Sequence, residues 1–417
     1  MFSVQPRFRF YGAPWHYLTA VRGLLTGSVR RERDVVAAER LIASDLGVAD
    51  FVLTQQCRFA MYLALKNLGV AGKKVILSPY TIYDVVNMII AAGGKPVFCD
   101  IDPVTCNIDL DKAADLIDGE TAGILITHLH GLMADADGFR NLCDRHGIWL
   151  MEDVAQAYGV ARNGKQGGTV GHVGVFSFGR AKNINGFYGG GLTAQDPELL
   201  AAVRRDLEAC KPMEISRLYK RIVSCLINDL ATARGLFQFF TFPILRYAAL
   251  KDVNRINKIL NTEDNPIRRD QVPEHYFRRI TGVQARAIAA QIPRARRLSS
   301  ARTASALRYA EQLADWPQIG LPPVSDRGDH IYMYFPIRVK DRNKLTKYLM
   351  QSGVDVAVQH YHNTADVACF SDFYRDCPVC REVSQQVVLL PTYPSYTKAS
   401  VDRTAETIRR YFREGNS

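Results

Sequence analysis

Apolar residues in this chain fall into short unbroken runs separated by stretches where they recur every three or four positions. Phe51–Leu53, Lys74–Leu77, Pro96–Cys99, the run opening at Gly123 and Ile148–Met151 read as buried strands. So do the spaced Val173, Val175 and Phe178, since a strand covered on both faces needs no polar side. Between them, VVAAERLIASDLGV from Val35 and the segment Arg58–Leu68 carry helical spacing. The alternation predicts a parallel sheet inside a three-layer α/β/α domain. Further on, His330–Val339 reads as a strand and DRNKLTKYLMQSGVDV as helix then strand, a smaller α+β unit. We therefore divide the chain into an N-terminal arm (1–35), a large domain (36–292) and a small C-terminal domain (293–417).

One stretch breaks the alternation. Ile215, Leu218, Ile222, Leu226 and Leu230 recur at helical spacing beside Arg217, Lys220 and Arg221. The uncharged LFQFFTFPIL (Leu236–Leu245) comes next, followed by Arg246, Lys251, Arg255 and Lys258. A basic amphipathic insertion of this kind, about 212–270, fits a helix lying on an anionic membrane surface. It also fits a dimer-interface or lid insertion, in which the apolar residues meet protein, and both readings stay open.

Composition narrows the field. With 47% apolar and 23% charged residues the 417-residue chain is an ordinary globular one. The net charge of +11 suits phosphorylated ligands or an anionic membrane. No basic recognition helix follows the aromatic and basic arm, so nucleic acid is not an expected partner. Nine scattered cysteines and no signal peptide point to the cytoplasm, with the inner membrane face as a peripheral site. No apolar run approaches the roughly 18 residues of a spanning helix. His128-x-His130 lacks a third ligand, and Cys377-x-x-Cys380 near His360 and His362 lacks a second pair; no metal is expected.

The chemistry gathers in two segments. EDVAQAYG (Glu152–Gly159) puts Asp153 at the C-terminal end of a predicted strand, where ligands bind in open α/β sheets. About twenty residues later VFSFGRAKNINGFYGGG (Val175–Gly191) places Lys182 after a buried run and before three glycines. Desolvation lowers an amine pKa, and a neutral amine can form a Schiff base with an aldehyde. A carboxylate for a pyridinium nitrogen and a lysine for an aldehyde are what pyridoxal 5′-phosphate requires.

The order and spacing of HLHGLMADADGFRNLCDRHGIWLMEDVAQAYG and GTVGHVGVFSFGRAKNINGFYGGGL resemble the DegT/DnrJ/EryC1/StrS family. These are pyridoxal-phosphate enzymes, mostly sugar aminotransferases. The resemblance implies the aspartate aminotransferase-like (type I) fold, a homodimer with shared active sites and transfer from glutamate or glutamine to a keto sugar, nucleotide-linked or lipid-linked. It implies Lys182 as the catalytic lysine, Asp153 on the ring nitrogen, Gln156 on the 3′-oxygen and Ser177 on the phosphate. Asn183, Tyr188 and His360 fall on the substrate side.

Three positions depart from the family pattern. Gln56, Cys57 and Arg58 stand where Ser-Gly-Thr binds phosphate in relatives. Ile82 replaces a stacking aromatic, leaving either the neighbouring Tyr80 or Tyr83 or an aliphatic face to cover the ring. Phe277 replaces an asparagine that reaches the partner subunit's cofactor, while Arg279 and Gln284 align. Two other readings accompany the main one: a drifted scaffold or binding protein without turnover, and an aminotransferase for a lipid-like ketone at the membrane.

Overall fold

The computed structural model describes residues 4–9, 14–251, 266–358 and 361–415. His360, Arg255 and Lys258 lie outside the described residues. The described chain begins its helices with α1 (Pro14–Leu25) and α2 (Glu32–Leu46). The arm is therefore helical over half its length, despite weak periodicity, because Ala20 packs with Val29, Phe187 and Val283 rather than along a broad stripe.

Seven strands form the central sheet: β1 (Val52–Thr54), β2 (Lys74–Leu77), β3 (Lys95–Phe98), β4 (Thr121–Thr127), β5 (Trp149–Asp153), β6 (Val173–Ser177) and β7 (Gly190–Ala194). Their order is β1-β7-β6-β5-β4-β2-β3. Side chains alternate between two cores, as the strand period of two demands. Val75, Leu77, Leu125, Met151, Val173 and Val175 join one buried cluster; Ile76, Ile124, Ile126, Leu150 and Phe176 join the other. The first is covered by α3 (Cys57–Asn67) and α4 (Tyr83–Ala91), the second by α2 and α5 (Ala136–His146). Both faces are dry, which explains the unbroken apolar runs.

The expectation of an all-parallel sheet is corrected by β7, which runs antiparallel to both β6 and β1. After β6 the chain turns back through residues 178–189 instead of crossing over with a helix. Gly190 then pairs with Ser177 on one side and Thr54 on the other.

The insertion is helical. After α6 (Pro197–Glu208) come α7 (Ile215–Ala231), a turn at Arg234–Leu236, a π-helical stretch at Phe237–Thr241 and α8 (Phe242–Leu250). The expected single apolar stripe is split. Leu218, Ile222 and Cys225 are buried, whereas Ile215, Leu226 and Leu230 are exposed, so α7 is apolar on two sides.

A capping box at Thr281 and Gln284 starts α9 (Gly282–Ala289), and α10 (Ile292–Leu313) leads into the smaller unit. There β8 (Phe335–Arg338), β9 (Ala357–Val358) and β10 (Val387–Leu390) form an antiparallel sheet in the order β8-β10-β9. Helix α11 (Arg342–Gln351) and helix α13 (Lys398–Arg413) pack on it, with α12 (Pro378–Gln386) between them in the chain. The strand expected over His330–Val339 is confined to Phe335–Arg338, because Tyr332 takes a left-handed φ of 46° and sends its hydroxyl to Pro323 O. Among the described residues no helix is long and apolar enough to cross a membrane.

Candidate active site

The end of β5 carries two carboxylates that point to opposite faces of the sheet. Glu152 is fully buried and accepts from His128 Nε2 at 2.9 Å, Gly168 N at 2.9 Å and Gly171 N at 2.6 Å. His128 Nδ1 accepts from Ala134 N, which puts the ring's donor on Nε2. The pair is a structural clamp beneath the sheet. Asp153, on the other face, accepts from Ala155 N at 2.9 Å. Burial raises its pKa, opposed by that bond and by the charge of Lys182.

Lys182 sits in the β6–β7 loop. Phe178 N donates to Gly189 O and Gly186 N to Phe178 O, both at 2.9 Å, which closes the loop on itself. Phe178 and Ile184 anchor it in the core. Phe187 and Tyr188 hold left-handed φ values of 54° and 66°, conformations that L-residues keep only when their surroundings enforce them. Gln284 Nε2 supplies that constraint by donating to the carbonyls of Phe187 and Tyr188. Burial lowers the Lys182 pKa, and the nearby Asp153 charge works against the shift. An amine so placed is neutral at lower pH than a surface lysine, and so nucleophilic.

The N-terminus of α3 faces the same place. Its first residues receive no side-chain cap from Gln56, leaving amides open to an anion. A Cβ on Gly190 would lie 2.2 Å from Cys57 N, so only glycine lets β7 pass this close to the helix. Cys57 lies in the electrostatic reach of both Asp153 and Lys182, and burial holds its thiol neutral. Ser177, the register partner of Gly190, is half-buried at the end of β6. The fold thus brings Lys182, Asp153, Cys57 and Ser177 together.

Arg58 is engaged elsewhere, although its charge still reaches Cys57 and Lys182. Its guanidinium pairs with Asp84, a carboxylate shared with Arg269, and reaches Tyr276 Oη at 3.5 Å. Of the three candidates for the ring face, Tyr80 is fully buried and Tyr83 packs against Phe370 at 6.3 Å, while Ile82 alone keeps open surface. Gln156 accepts from His130 N at 2.8 Å and donates to Tyr361 Oη at 2.9 Å. Asn183 donates to Tyr158 O at 3.3 Å, yet its Oδ1 is buried without a hydrogen-bond partner. Phe277 lies edge-on to Phe59 and Tyr62 at 5.2 and 6.1 Å, inside its own subunit.

Several neighbours of the site carry no local sequence signal. Arg221 of α7 donates to Gln55 Oε1 at 2.8 Å and lies over the Tyr188 ring. A small cavity beside Lys182 is lined by Arg7, Phe8 and Arg9 and by Arg302, Tyr334 and Tyr393. Long-range packing places all of them, and spacing along the chain could not have found them.

These groups fit pyridoxal phosphate. A buried carboxylate, a partly desolvated amine, uncapped helix amides beside a serine hydroxyl and an orphaned Asn183 oxygen match its nitrogen, aldehyde, phosphate and polar edge.

Known proteins share this architecture. The chain is 26% identical over 393 residues to dTDP-3-amino-3,4,6-trideoxy-alpha-D-glucose transaminase from Micromonospora megalomicea subsp. nigra, covering 92% of this chain and 91% of that protein. It is 24% identical over 360 residues to a pleiotropic regulatory protein of Geobacillus stearothermophilus, covering 85% and 82%. The structure of an aminotransferase from Psychrobacter cryohalolentis superposes with a TM-score of 0.78 at 21% identity, over 99% of this chain and all of that one. The fold is the type I architecture of pyridoxal-phosphate enzymes. The model of the DegT/DnrJ/EryC1/StrS aminotransferase family matches residues 18–409, and the chain belongs to that family.

Proposed function

We propose that this protein binds pyridoxal 5′-phosphate and moves an amino group from glutamate or glutamine to a keto sugar, nucleotide-linked or lipid-linked. The observation that carries the reading is the meeting of Lys182 and Asp153 at the ends of neighbouring strands, beside the open N-terminus of α3. Retention of both groups speaks against a binding protein without turnover. The named transaminase relative supports the substrate class.

When bound, the cofactor supplies an electrophilic aldehyde and an electron-withdrawing ring. Asp153 holds a proton on the ring nitrogen. Lys182 Nζ, its pKa lowered by burial, would be the nucleophile toward that aldehyde and would take the proton from the donor's Cα. The same atom returns a proton to the former carbonyl carbon of the acceptor. Cys57 N, Arg58 N and Ser177 Oγ would hold the phosphate; we assign Arg58's amide this role because Asp84 occupies its guanidinium. Ile82 would cover one ring face, Gln156, fixed by its bond to Tyr361, would orient the ring edge, and Tyr83, packed on Phe370, would border the same wall. Asn183, Tyr188 and His360 belong to the substrate side. Family membership supports a homodimer. Phe277, where relatives carry the asparagine, packs on Phe59 in its own subunit, which leaves the phosphate to the amides of α3 and Ser177 Oγ among the described residues. The reading places the enzyme in the cytoplasm.

The test is the donor half-reaction. Protein loaded with pyridoxal phosphate and given glutamate should release 2-oxoglutarate in proportion to occupied sites, and Lys182→Ala should release none. Equal release from the variant removes Lys182 from the mechanism.

A further inference from the structure

Helix α7 has two apolar sides with different tasks. Its inner side carries Leu218, Ile222 and Cys225 into a cluster with Phe187 of the Lys182 loop and Ala20 of α1. Polar groups on that side reach the site itself. Arg180 Nη1 donates to Ser224 Oγ at 3.0 Å, and Arg221 spans Gln55 and the Tyr188 ring. The outer side and the turn of chain after it are uncovered. Phe239, Phe240, Ile244 and Tyr247 are 61%, 65%, 56% and 62% exposed, and Tyr219, Ile227 and Leu230 are exposed as well. Helix α1 packs against α7 and adds exposed Leu18, Val21 and Leu25. Apolar surface concentrated in this way marks a contact face rather than ordinary solvent-facing scatter.

Charge decides what covers it. Of the basic residues in 215–250, Lys220, Arg234 and Arg246 are exposed while Arg221 turns into the site, and the stretch holds one acidic residue, Asp229. Asp229 is already engaged by the Tyr17 hydroxyl. A two-fold contact sets the same patch against itself, and among the described residues 215–250 that patch offers Lys220 and Arg234 of the other copy only Asp229. An anionic headgroup layer supplies that complement, while the rings and aliphatic chains enter the acyl boundary.

We propose that α7, α8 and the outer face of α1 seat this protein on an anionic bilayer surface, holding the Lys182 loop directly behind the contact. The proposal goes beyond the transaminase reading and does not depend on it.

The experiment is flotation of the full-length, pyridoxal-phosphate-loaded protein with phosphatidylglycerol-containing vesicles and with pure phosphatidylcholine vesicles. The wild type floats with the anionic vesicles, and its floated fraction falls about tenfold or more without anionic lipid or in high salt. Phe239→Ser/Phe240→Ser/Ile244→Ser and, separately, Lys220→Glu/Arg234→Glu each lose flotation. Both variants keep the glutamate half-reaction in solution, which shows that they fold and keeps the two readings distinguishable. Wild type that does not float overturns the proposal. So does a gel-filtration shift to a smaller species in the serine variant with flotation unchanged, which would make the face a contact between copies.

Discussion

Arg221 lies 4.9 Å from the centroid of the Tyr188 ring, six residues beyond Lys182, and donates to Gln55, two residues before Cys57. One side chain of the insertion thus ties both walls of the site. Burial lowers its pKa to about 10, yet it remains charged at neutral pH. Arg221→Met should fill the same space but leave Gln55 Oε1 without its donor. The expected cost is about 1–2 kcal/mol in urea unfolding, with weaker cofactor retention in equilibrium dialysis. Unchanged retention would show that the insertion is only attached to the site.

The pH dependence of Lys182 follows from its surroundings. Burial lowers its pKa, so the neutral form persists below the usual 10.5, and capture of an aldehyde should rise with pH with a midpoint below that value. Asp153 opposes the shift by favouring the ammonium. Asp153→Asn should therefore move the midpoint lower still, while weakening turnover. A midpoint that rises in the variant would reverse the assignment of charges.

Gly190→Ala tests the close pass of β7 over α3. The added methyl meets Cys57 N at 2.2 Å, and backbone on both sides must move. Overpacking of this kind costs about 1–3 kcal/mol. Here it should also reduce cofactor affinity, because the displaced amides are those proposed for the phosphate. Full affinity in a stable variant would move the phosphate elsewhere.

Glu152→Gln separates structure from chemistry. The carboxylate takes three hydrogen bonds in a fully buried place, and an amide can satisfy them only in part. A loss of about 3 kcal/mol of stability is expected, read by thermal or urea unfolding. Aldehyde capture by the folded variant should persist, since Glu152 and Lys182 lie on different faces.

Much of this was legible in the sequence because burial on both faces writes strands as unbroken apolar runs. The run at Ile148–Met151 fixed where Asp153 would emerge, and the triple glycine marked the tight pass at Gly190. The reversal of β7 was not legible, since glycines permit a turn without stating its direction. Neither was the division of α7 into two apolar sides, because helical spacing shows that a face is apolar and not what it meets. Arg58 illustrates a third limit. Its place at the helix start was readable, but its capture by Asp84, a carboxylate it shares with Arg269, depends on residues far apart in the chain.

The most direct test of the central claim is reductive trapping. Pyridoxal phosphate is added at near-stoichiometric concentration, the mixture is reduced with borohydride, and the labelled peptide is located by mass. The account predicts a single dominant label on Lys182, lost in Lys182→Ala and reduced by prior incubation with glutamate. Label spread over exposed lysines, with Lys182 unmodified, would contradict it.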